Sequence, residues 1–312
     1  MRIAILSRNR SLYSTRRLVQ VARSRGHDVQ VIDTLAVAVE LGLNVDDRIG
    51  HKVITSGPLG LMRTGHVPEV DAMIPRIGTS ITFYGLAVVR QFESLGVLTT
   101  AVSSAIACSR DKLHSLQSMG REGLPIPRTA VIAQPRALFS AVHAVGGVPV
   151  VIKLIRGTQG KGVVLARNLA TAAAVLEKVH KAKRQALIQE YVAEAHGRDT
   201  RIIVVGDRCI AAMERMAIDG DFRANLHRGG TAVPITPDKE TSELAIRAAK
   251  AHGLAVAGVD LIHSERGPML LEVNSSPGLE GIEGVTGVDI SLEIVTYLER
   301  AFHKSRRQKM RR

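Results

Sequence analysis

Apolar residues in the first hundred positions alternate between short continuous runs and helically spaced stretches. Continuous runs predict strands buried on both faces, and spacing of three to four residues predicts amphipathic helices. The predicted strands cover residues 2–7, 29–33, 72–77 and 97–100, and the predicted helices cover residues 12–25 and 82–95. Helices that alternate with strands in this order predict a doubly wound α/β domain over residues 1–104. A Gly-x-Gly-x-x-Gly turn is absent, so dinucleotide binding is not indicated.

The pattern changes after a helix that ends at Met119, where Gly123-Leu-Pro-Ile-Pro127 predicts a subdomain boundary. The predicted strands beyond it are 148–155, 162–166 and 188–192, then 201–205 and 209–215 on either side of a Gly-Asp turn. Two more apolar strands meet at residues 264–268. We therefore expect an α+β unit over residues 105–193, a second one over 194–302 and a basic tail over 303–312.

Composition narrows the class of protein. The chain has 312 residues, 45% hydrophobic residues and nine aromatic residues, which fits two or three packed subdomains and disfavours a binder of single-stranded nucleic acid built on stacked aromatics. Cys108 and Cys209 lie far apart, so neither a disulfide framework nor a thiolate zinc site is indicated, and a reducing cytoplasm is expected. No run approaches the length of a membrane span, and the apolar start is too short for a signal peptide.

Positive charge exceeds negative charge by 13, which predicts acidic partners. Seven of these charges follow Glu299 with no acidic residue among them. This segment is either a solvated terminus or an arm that docks on ribosomes or nucleic acid, and the sequence leaves both open.

Three oxygen-bearing side chains are expected on one face of the hairpin near the end of the chain. A hairpin centred on Arg266 places Asp260 opposite Glu272, with Cβ atoms ~5 Å apart. The alternation of a strand puts Asn274 on the same face as Glu272. Leu271 is then expected to point into the core, together with the valine at position 273.

Two facing carboxylates repel each other unless a cation lies between them. Oxygen ligands without histidine or cysteine suit Mg²⁺ or Mn²⁺, and such an ion usually completes its coordination with waters and phosphate oxygens. The triplet therefore indicates a nucleotide site. The alternative is that Asp260 or Glu272 simply pairs with an arginine.

A second feature is the glycine-rich stretch that follows Lys153. Three glycines lie within six residues, at positions 157, 160 and 162, next to Lys161. Glycines let the backbone approach an anion closely, so the stretch predicts a loop that covers phosphates and closes over the site as a lid. It lacks the P-loop spacing, and by itself it would be a flexible hairpin tip.

Two further segments carry candidate chemistry. Glu190 at a strand end could accept a hydrogen bond from an adenine amino group, and Asp199 could bind ribose hydroxyls. Both could equally be solvated surface charges. Residues 221–230 are polar and basic, which suits neutralisation of a transferring phosphoryl group or describes a cationic loop.

Several segments together resemble the ATP-grasp carboxylate–amine ligases, and within them the RimK-type α-L-glutamate ligases. The segments that resemble the ATP-grasp ligases are Lys153 with its glycine-rich loop, Gln189-Glu-Tyr191, Asp221-Phe-Arg-Ala-Asn225 and Leu271-Glu-Val-Asn-Ser-Ser-Pro-Gly278. The segments that resemble the RimK-type ligases in particular are Ile74-Pro-Arg-Ile-Gly-Thr-Ser-Ile-Thr-Phe-Tyr-Gly85, Ser109-Arg-Asp-Lys112 and Asn225-Leu-His-Arg-Gly-Gly230. The resemblance implies an ATP-grasp fold, in which two α/β subdomains grip ATP, preceded by the doubly wound domain.

The resemblance also implies residue roles, partners and cofactors. Phosphates would be bound by Lys112, Lys153 and Gly160, the adenine by Glu190 and Tyr191, the ribose by Asp199, the phosphate chain by Arg223, Ala224 and Asn225, and two Mg²⁺ or Mn²⁺ ions by Asp260, Glu272 and Asn274. Catalytic charge would come from Arg223, Lys153 and Arg201. A homotetramer in the cytoplasm is implied.

The expected reaction is the ADP-forming attachment of L-glutamate to the C-terminal carboxylate of an acceptor protein or polyglutamate chain through an acyl phosphate. Small-subunit ribosomal protein six is the acceptor that the resemblance names. Two alternatives stay open: a glutamate ligase for a coenzyme or an amino-group carrier protein, and a non-catalytic basic protein that binds ribosomes. Glutamate-dependent ADP release distinguishes a ligase from a non-catalytic protein, which would release no ADP.

Overall fold

The structure is a computed structural model. It describes residues 1–40, 52–55, 65–66, 69–155, 162–218, 221–224 and 229–310. None of the helices in these ranges is both long and apolar enough to cross a membrane.

The chain begins with the predicted doubly wound unit, which is built on a parallel sheet. Its elements are β1 (Arg2–Leu6), α1 (Tyr13–Ser24), β2 (Asp28–Ile32), β3 (Val37–Glu40), β4 (Lys52–Thr55), β5 (Gly65–His66), β6 (Ala72–Pro75), α2 (Thr82–Ser94) and β7 (Leu98–Thr99). The parallel strands are ordered β2-β1-β6-β7, and β3-β4-β5 form a separate antiparallel sheet. The predicted strands and helices of this region are therefore confirmed to within a few residues at their ends.

Alternate residues of β1 enter two different cores. Ile3 and Ile5 pack with Leu18 of α1, whereas Ala4 and Leu6 pack on the side of α2. This division follows from the period of two in a strand, and it explains why β1 is apolar throughout.

Two short helices follow, α3 (Ser103–Arg110) and α4 (Lys112–Arg121). Asp111 separates them, because its carboxylate accepts hydrogen bonds from the backbone N–H groups of Leu113 and His114 and so caps α4. Residues 122–128 contain no helix or strand, in agreement with the predicted boundary. The segment is nevertheless attached to the rest of the protein, since Leu270 donates a backbone hydrogen bond to Pro125 at 2.9 Å.

A four-stranded antiparallel sheet with its own core forms the middle of the chain. Its elements are β8 (Thr129–Val131), α5 (Leu138–Ala144), β9 (Val150–Leu154), β10 (Val163–Ala166), α6 (Leu169–Lys181) and β11 (Ala186–Glu190). The strand order is β10-β9-β11-β8, and α5 and α6 cover the buried face. The predicted hairpin of β9 and β10 is confirmed.

A five-stranded antiparallel sheet follows. Its elements are β12 (Arg198–Val205), β13 (Arg208–Met216), β14 (Thr231–Pro234), α7 (Lys239–Ala251), β15 (Val256–Ser264), β16 (Gly267–Asn274), α8 (Glu280–Thr286) and α9 (Ile290–Met310). The order is β14-β13-β12-β15-β16. Its two faces belong to the same two cores as the faces of the N-terminal parallel sheet, so these two units are packed into one body.

The last helix differs from the prediction of a separate tail after residue 302. Helix α9 packs Ile294, Val295 and Leu298 into the core and then continues as a helix to Met310. Lys304, Arg306 and Arg307, which were expected in a tail, therefore occupy the exposed end of a helix, where Arg306 lies 5.8 Å from the ring centroid of Phe302.

Candidate active site

The middle sheet and the C-terminal sheet face each other across a cleft. Strands β9 and β11 form one wall, and strands β12, β13, β15 and β16 form the other. Of the residues predicted for the site, the cleft is lined by Lys112, Lys153, Glu190, Tyr191, Asp199, Arg223, Ala224, Asp260 and Glu272. Residues from both halves of the sequence are thus brought together, as the resemblance implied.

Charged side chains form a row across four strands of the C-terminal sheet. Arg215 of β13 is paired in register with Asp199 of β12, and their side chains form two hydrogen bonds of 2.6 and 2.8 Å. Arg201 of β12 is paired in register with Asp260 of β15 through bonds of 2.7 and 2.6 Å. The row ends at Glu272 of β16, opposite Asp260. Cross-strand register therefore alternates positive and negative charge from Arg215 to Asp260 and then places two carboxylates, Asp260 and Glu272, next to each other.

The two carboxylates that were predicted to face a cation have different surroundings. Asp260 is buried and is held by Arg201 and also by Arg215, whose Nη2 lies 3.2 Å away. Burial alone would raise the pKa of Asp260, but the two guanidinium groups keep the pKa below its usual value. Glu272 forms no hydrogen bond or ion pair with any residue that the structure describes. Asp260 is thus paired with arginines while it faces Glu272, and among the described residues Glu272 has no such pairing.

The hairpin forms the predicted pair of Asp260 and Glu272, but with a different turn and a β-bulge. Its turn consists of the two residues Glu265 and Arg266, since Ser264 pairs with Gly267. A hairpin with that centre and no irregularity would place Asp260 opposite Leu271. A β-bulge between Asp260 and Leu261 adds one residue to β16 and restores the pairing of Asp260 with Glu272.

The bulge also corrects the predicted orientation of Leu271. Val273 is fully buried, as predicted, but Leu271 is only partly buried and lines the cleft beside Glu272. Period-two alternation holds on either side of a bulge and fails across it, so neighbouring residues 271 and 272 share the cleft.

Asn274 lies beyond the cleft rather than within it. It lines a second cavity, which shares Lys112 and Glu272 with the first cleft and is bounded by the start of α2 and the junction of α3 and α4. Its Nδ2 atom is buried without a hydrogen-bond partner among the described residues. Arg201 does not line the cleft either, so its contact with the site is through Asp260.

Lys153 projects from β9 into the cleft and is held by a chain of side chains across the middle sheet. Its Nζ donates to Oε1 of Gln189 at 2.6 Å, and Nε2 of Gln189 donates to the hydroxyl of Thr129 at 2.8 Å. Burial, opposed in part by the charge of Glu272 and reinforced by that of Lys112, lowers the pKa of Lys153 to about 8. The sequence suggested no role for Gln189, although it is the first residue of the Gln189-Glu-Tyr191 motif.

The adenine side of the predicted site contains two aromatic rings. Tyr191 meets Phe222 edge to face, with ring centroids 6.3 Å apart. Phe222 belongs to the Asp221-Phe-Arg-Ala-Asn225 motif, but the sequence suggested no role for its ring. The Glu190 carboxylate is already engaged: its Oε1 accepts hydrogen bonds from the backbone of Arg128 at 2.7 Å and from Arg266 at 2.6 Å. Glu190 thereby joins the middle sheet to the turn of the C-terminal hairpin.

Arg223 lies at the rim of the cleft near these rings. Its guanidinium forms bonds of 2.9 and 3.0 Å with the carboxylate of Asp221 and lies 5.4 Å from the ring centroid of Phe222. Ala224 is buried beside it. Two residues predicted for phosphate contacts, Gly160 and Asn225, lie outside the described residues, as do the glycines at 157 and 160 of the predicted lid.

The donors at the junction of the two cavities fit a hard divalent cation. They are the unpaired carboxylate of Glu272, the carboxylate of Asp260 opposite and the amide of Asn274 two residues on. The described residues contain no group of three or more histidine, cysteine, aspartate and glutamate side chains arranged around a common point. A site with so few protein ligands suits an ion that takes its remaining oxygens from phosphates and water.

Family models match nearly the whole chain. Residues 1–106 match the RimK PreATP-grasp domain, and residues 109–298 match the RimK-like ATP-grasp domain. The chain is 49% identical over 308 residues to the probable alpha-L-glutamate ligase 1 of Shewanella amazonensis, which covers 99% of this chain and 98% of that protein. It is 48% identical over 310 residues to the probable alpha-L-glutamate ligase of a Marinomonas species, with 99% of both proteins covered.

Solved structures share the fold at lower identity. The ATP-grasp ligase PsnB, complexed with a phosphomimetic variant of its minimal precursor, Mg and ADP, superimposes with a TM-score of 0.72 at 21% identity, covering 96% of this chain and 98% of that one. A RimK domain ATP-grasp protein from Sphaerobacter thermophilus gives a TM-score of 0.66 at 21% identity, with 96% and 99% covered. Fold, domain order and sequence agree, and the chain belongs to the RimK family of ATP-grasp ligases.

Proposed function

We propose that this protein joins L-glutamate to the C-terminal carboxylate of a protein or polyglutamate acceptor, using ATP and Mg²⁺ and releasing ADP and phosphate. The observation that carries the proposal is the row of charges that ends at the unpaired Glu272, opposite Lys153, in one cleft. Relatives that are 49% and 48% identical are named probable alpha-L-glutamate ligases, and the PsnB structure contains ADP, Mg and a peptide precursor, which supports the same substrate classes here.

The cleft has a different chemical character at each end, which suits a nucleotide. The rings of Tyr191 and Phe222 and the buried Ala224 offer apolar contacts for a base. Lys153 and Lys112 offer positive charge beside Glu272 for a phosphate chain. Asp199 lines the same cleft and is held by Arg215, so its carboxylate is oriented before a ribose arrives. Arg223 at the rim faces the phosphate chain in this arrangement.

A divalent ion bound by Glu272, Asp260 and Asn274 would neutralise phosphate charge and polarise the phosphoryl group that is transferred. Arg201 keeps Asp260 in place for this ion and acts as a positioning residue. The same proposal includes the binding of two ions at this site and the use of Mn²⁺ in place of Mg²⁺.

The reaction proceeds in two displacements. An oxygen of the acceptor carboxylate attacks the γ-phosphorus of ATP, the bond to the β-phosphate oxygen breaks, and ADP leaves. The glutamate amine then attacks the acyl phosphate carbon, phosphate leaves, and the amine loses a proton as the amide forms. Lys153 and Arg223 stabilise the negative charge that moves during the first step. No protein nucleophile takes part.

The acceptor is the C-terminus of a ribosomal protein, of which small-subunit ribosomal protein six is our first candidate. A cytoplasmic location, a homotetramer and contact with the ribosome through the basic end of α9 belong to the same proposal. Incubation of the protein with ATP, Mg²⁺, glutamate and candidate acceptors, followed by mass spectrometry, tests it. We expect mass increments of glutamyl residues at the acceptor C-terminus. ADP release that does not depend on glutamate would contradict the proposal.

A further inference from the structure

The second cavity, where Asn274 lies, has features that the nucleotide cleft does not explain. It encloses about 750 Å³ between the N-terminal unit and strand β16. Its walls are the start of α2 near Phe83, the junction of α3 and α4 at Arg110, and the end of β16 from Glu272 to Ser275. Among the residues that the structure describes, it shares only Lys112 and Glu272 with the nucleotide cleft.

Three buried polar atoms in this wall lack hydrogen-bond partners within the described part of the chain. They are Nε of Arg110, Nδ2 of Asn274 and Oγ of Ser275. Ser275 is 6% exposed. Buried polar groups are almost always paired, because an unpaired one loses its hydration without compensation. Three donors that lack partners around one cavity indicate a ligand that accepts hydrogen bonds.

Positive charge around this wall is also uncompensated. Arg110 donates to the backbone carbonyl of Ile77 at 2.6 Å, and Arg76 donates to that of Pro277 at 2.8 Å. Among the described residues, neither guanidinium has a carboxylate within ion-pair distance. Burial and the nearby charge of Arg110 together lower the pKa of Arg76 to about 10. Two like charges that are both half-buried are unfavourable unless an anion approaches them.

The acidic residues of the cavity do not supply that anion. Asp111 is committed to capping α4 through two backbone N–H groups. Glu272 lies at the boundary with the nucleotide cleft and raises the pKa of Arg110 from a distance beyond an ion pair, against the larger effect of burial.

We propose that Arg110 and Ser275, with Arg76 behind them, bind a glutamyl carboxylate that is not phosphorylated, in the second cavity. This inference rests on the proposed function. A carboxylate fits because a guanidinium Nε and a hydroxyl can each donate to one of its two oxygens, and the charge offsets that of the two arginines. The cavity adjoins the phosphates at Lys112 and Glu272 only, so a carboxylate at Arg110 is kept apart from the phosphoryl group while the reacting end of the same substrate points towards it.

Two substrates carry such a carboxylate: free L-glutamate and the terminal glutamyl residue of the acceptor. Steady-state kinetics of Arg110→Lys and Ser275→Ala distinguish them. Arg110→Lys keeps the charge but removes the Nε donor, and Ser275→Ala removes only the hydroxyl. We expect the KM for the substrate bound here to rise roughly tenfold or more for Arg110→Lys and roughly threefold or more for Ser275→Ala, with the KM for ATP unchanged. A rise confined to the KM for glutamate identifies free glutamate, and a rise confined to the acceptor identifies the acceptor.

Thermal unfolding separates a binding role from a structural one. Because Oγ of Ser275 has no partner in the empty protein, Ser275→Ala should leave the Tm unchanged without ligand and should reduce the increase in Tm that saturating substrate produces. Arg90→Gln is the control, since Arg90 is an exposed arginine of α2 outside the cavity, and its kinetics should match the wild type. Unchanged KM values for both carboxylate substrates in a folded, active Ser275→Ala and Arg110→Lys would overturn the inference.

A direct binding measurement keeps this inference separate from the proposed function. Glutamate and a peptide ending in glutamate are titrated calorimetrically into protein saturated with Mg²⁺ and a non-hydrolysable ATP analogue. If the wild type shows no glutamate-dependent ADP release, the proposed function fails, and the titration then decides the cavity. Binding to the wild type that weakens in both variants supports the carboxylate site, and absence of binding to the wild type refutes it.

Discussion

Glu272 and Asp260 lie opposite each other in the sheet, but their carboxylates differ in whether they have charged partners. Asp260 is neutralised by two arginines, whereas Glu272 has no partner among the described residues and lies between the two cavities. A carboxylate that has no hydrogen bond or ion pair among the described residues and faces a cleft is best explained by what it binds.

Glu272→Gln should therefore separate activity from stability. We expect Mg²⁺-dependent ADP formation to fall roughly a hundredfold or more, because the charge that would bind the ion is removed. The free energy of unfolding should change little, because the relief of repulsion from Asp260 is offset by the lost attraction to Lys153 and Arg110. Activity is measured by coupled ADP assay and stability by urea denaturation. Glu265→Gln, in the exposed turn of the same hairpin, is the matched control, and full activity of Glu272→Gln would rule out the ligand role.

Lys153 predicts a pH dependence of nucleotide binding. Its pKa is lowered to about 8, so the amine is charged below that pH and loses its charge as the pH rises through it. If the charged form binds phosphate, the Kd for a non-hydrolysable ATP analogue should rise roughly tenfold between pH 7 and pH 9. Lys153→Arg stays charged over this range, so its Kd should be nearly constant. Parallel pH profiles for the two proteins would exclude Lys153 as the titrating group.

At the scale of elements, the hairpin of β15 and β16 presents the proposed metal ligands and depends on close packing behind it. Gly258 is paired with Asn274, and a Cβ added to Gly258 would lie 2.8 Å from Cβ of Pro277. Only glycine permits this approach. The segment after Asn274 can therefore fold back against β15 and carry Ser275 to the second cavity.

Gly258→Ala should destabilise the protein by about 1–3 kcal/mol through overpacking. It should also weaken activity, because Pro277 must move and Asn274 and Ser275 are adjoining residues. The control is Gly284→Ala in α8, where an added Cβ meets no atom within 4 Å and the helix gains up to about 1 kcal/mol. Urea denaturation should give changes of opposite sign for the two variants, and equal effects would contradict the packing argument.

The same hairpin shows how far sequence reasoning reaches. The apolar pattern and the turn residues predicted both strands, and the pairing of Asp260 with Glu272 is confirmed. The prediction assumed a turn centred on Arg266 and no bulge, and the structure has a two-residue turn and a bulge whose effects cancel at this pair. Leu271 lies in the bulge, where they do not cancel, and its predicted orientation was wrong. A bulge depends on contacts with neighbouring strands, which the local pattern of residues does not contain.

The success of the predictions for single side chains depended on whether the hydrogen-bond partner lies near in sequence. The roles of Asp199 and Glu190 were considered without their partners Arg215 and Arg266, because register between strands distant in sequence fixes those pairs. The second cavity was not predicted for the same reason. Its donors come from α3 and from the end of β16, which are more than 160 residues apart along the chain.

At the scale of the whole molecule, α9 combines two functions in one helix. Its first half carries Leu298 into the core and pairs Glu299 with Arg25 and His27 of the N-terminal unit. Its second half is largely exposed and basic. Stability should depend on the first half, and attraction to acidic partners on the second.

Truncation after His303 should test this division. We expect the Tm to remain close to that of the full chain and the affinity for small ribosomal subunits to fall. The slope of log affinity against log salt should also decrease, because fewer counterions are released. A full-length variant with Lys304, Arg306 and Arg307 changed to glutamine is the control for loss of helix length. A loss of affinity that is independent of salt would show that charge is not the cause.

The sharing of hydrophobic cores has a consequence for turnover. The walls of the second cavity belong to one body, because the N-terminal unit and the C-terminal sheet are packed into common cores, whereas most buried residues of the middle sheet form a core of their own. Movement of the middle sheet alone would release spent nucleotide without separating the walls around Arg110 and Ser275. If the proposed carboxylate site binds the acceptor, an enzyme built in this way would exchange ADP for ATP while it holds the acceptor, so that successive additions need not begin with a new encounter.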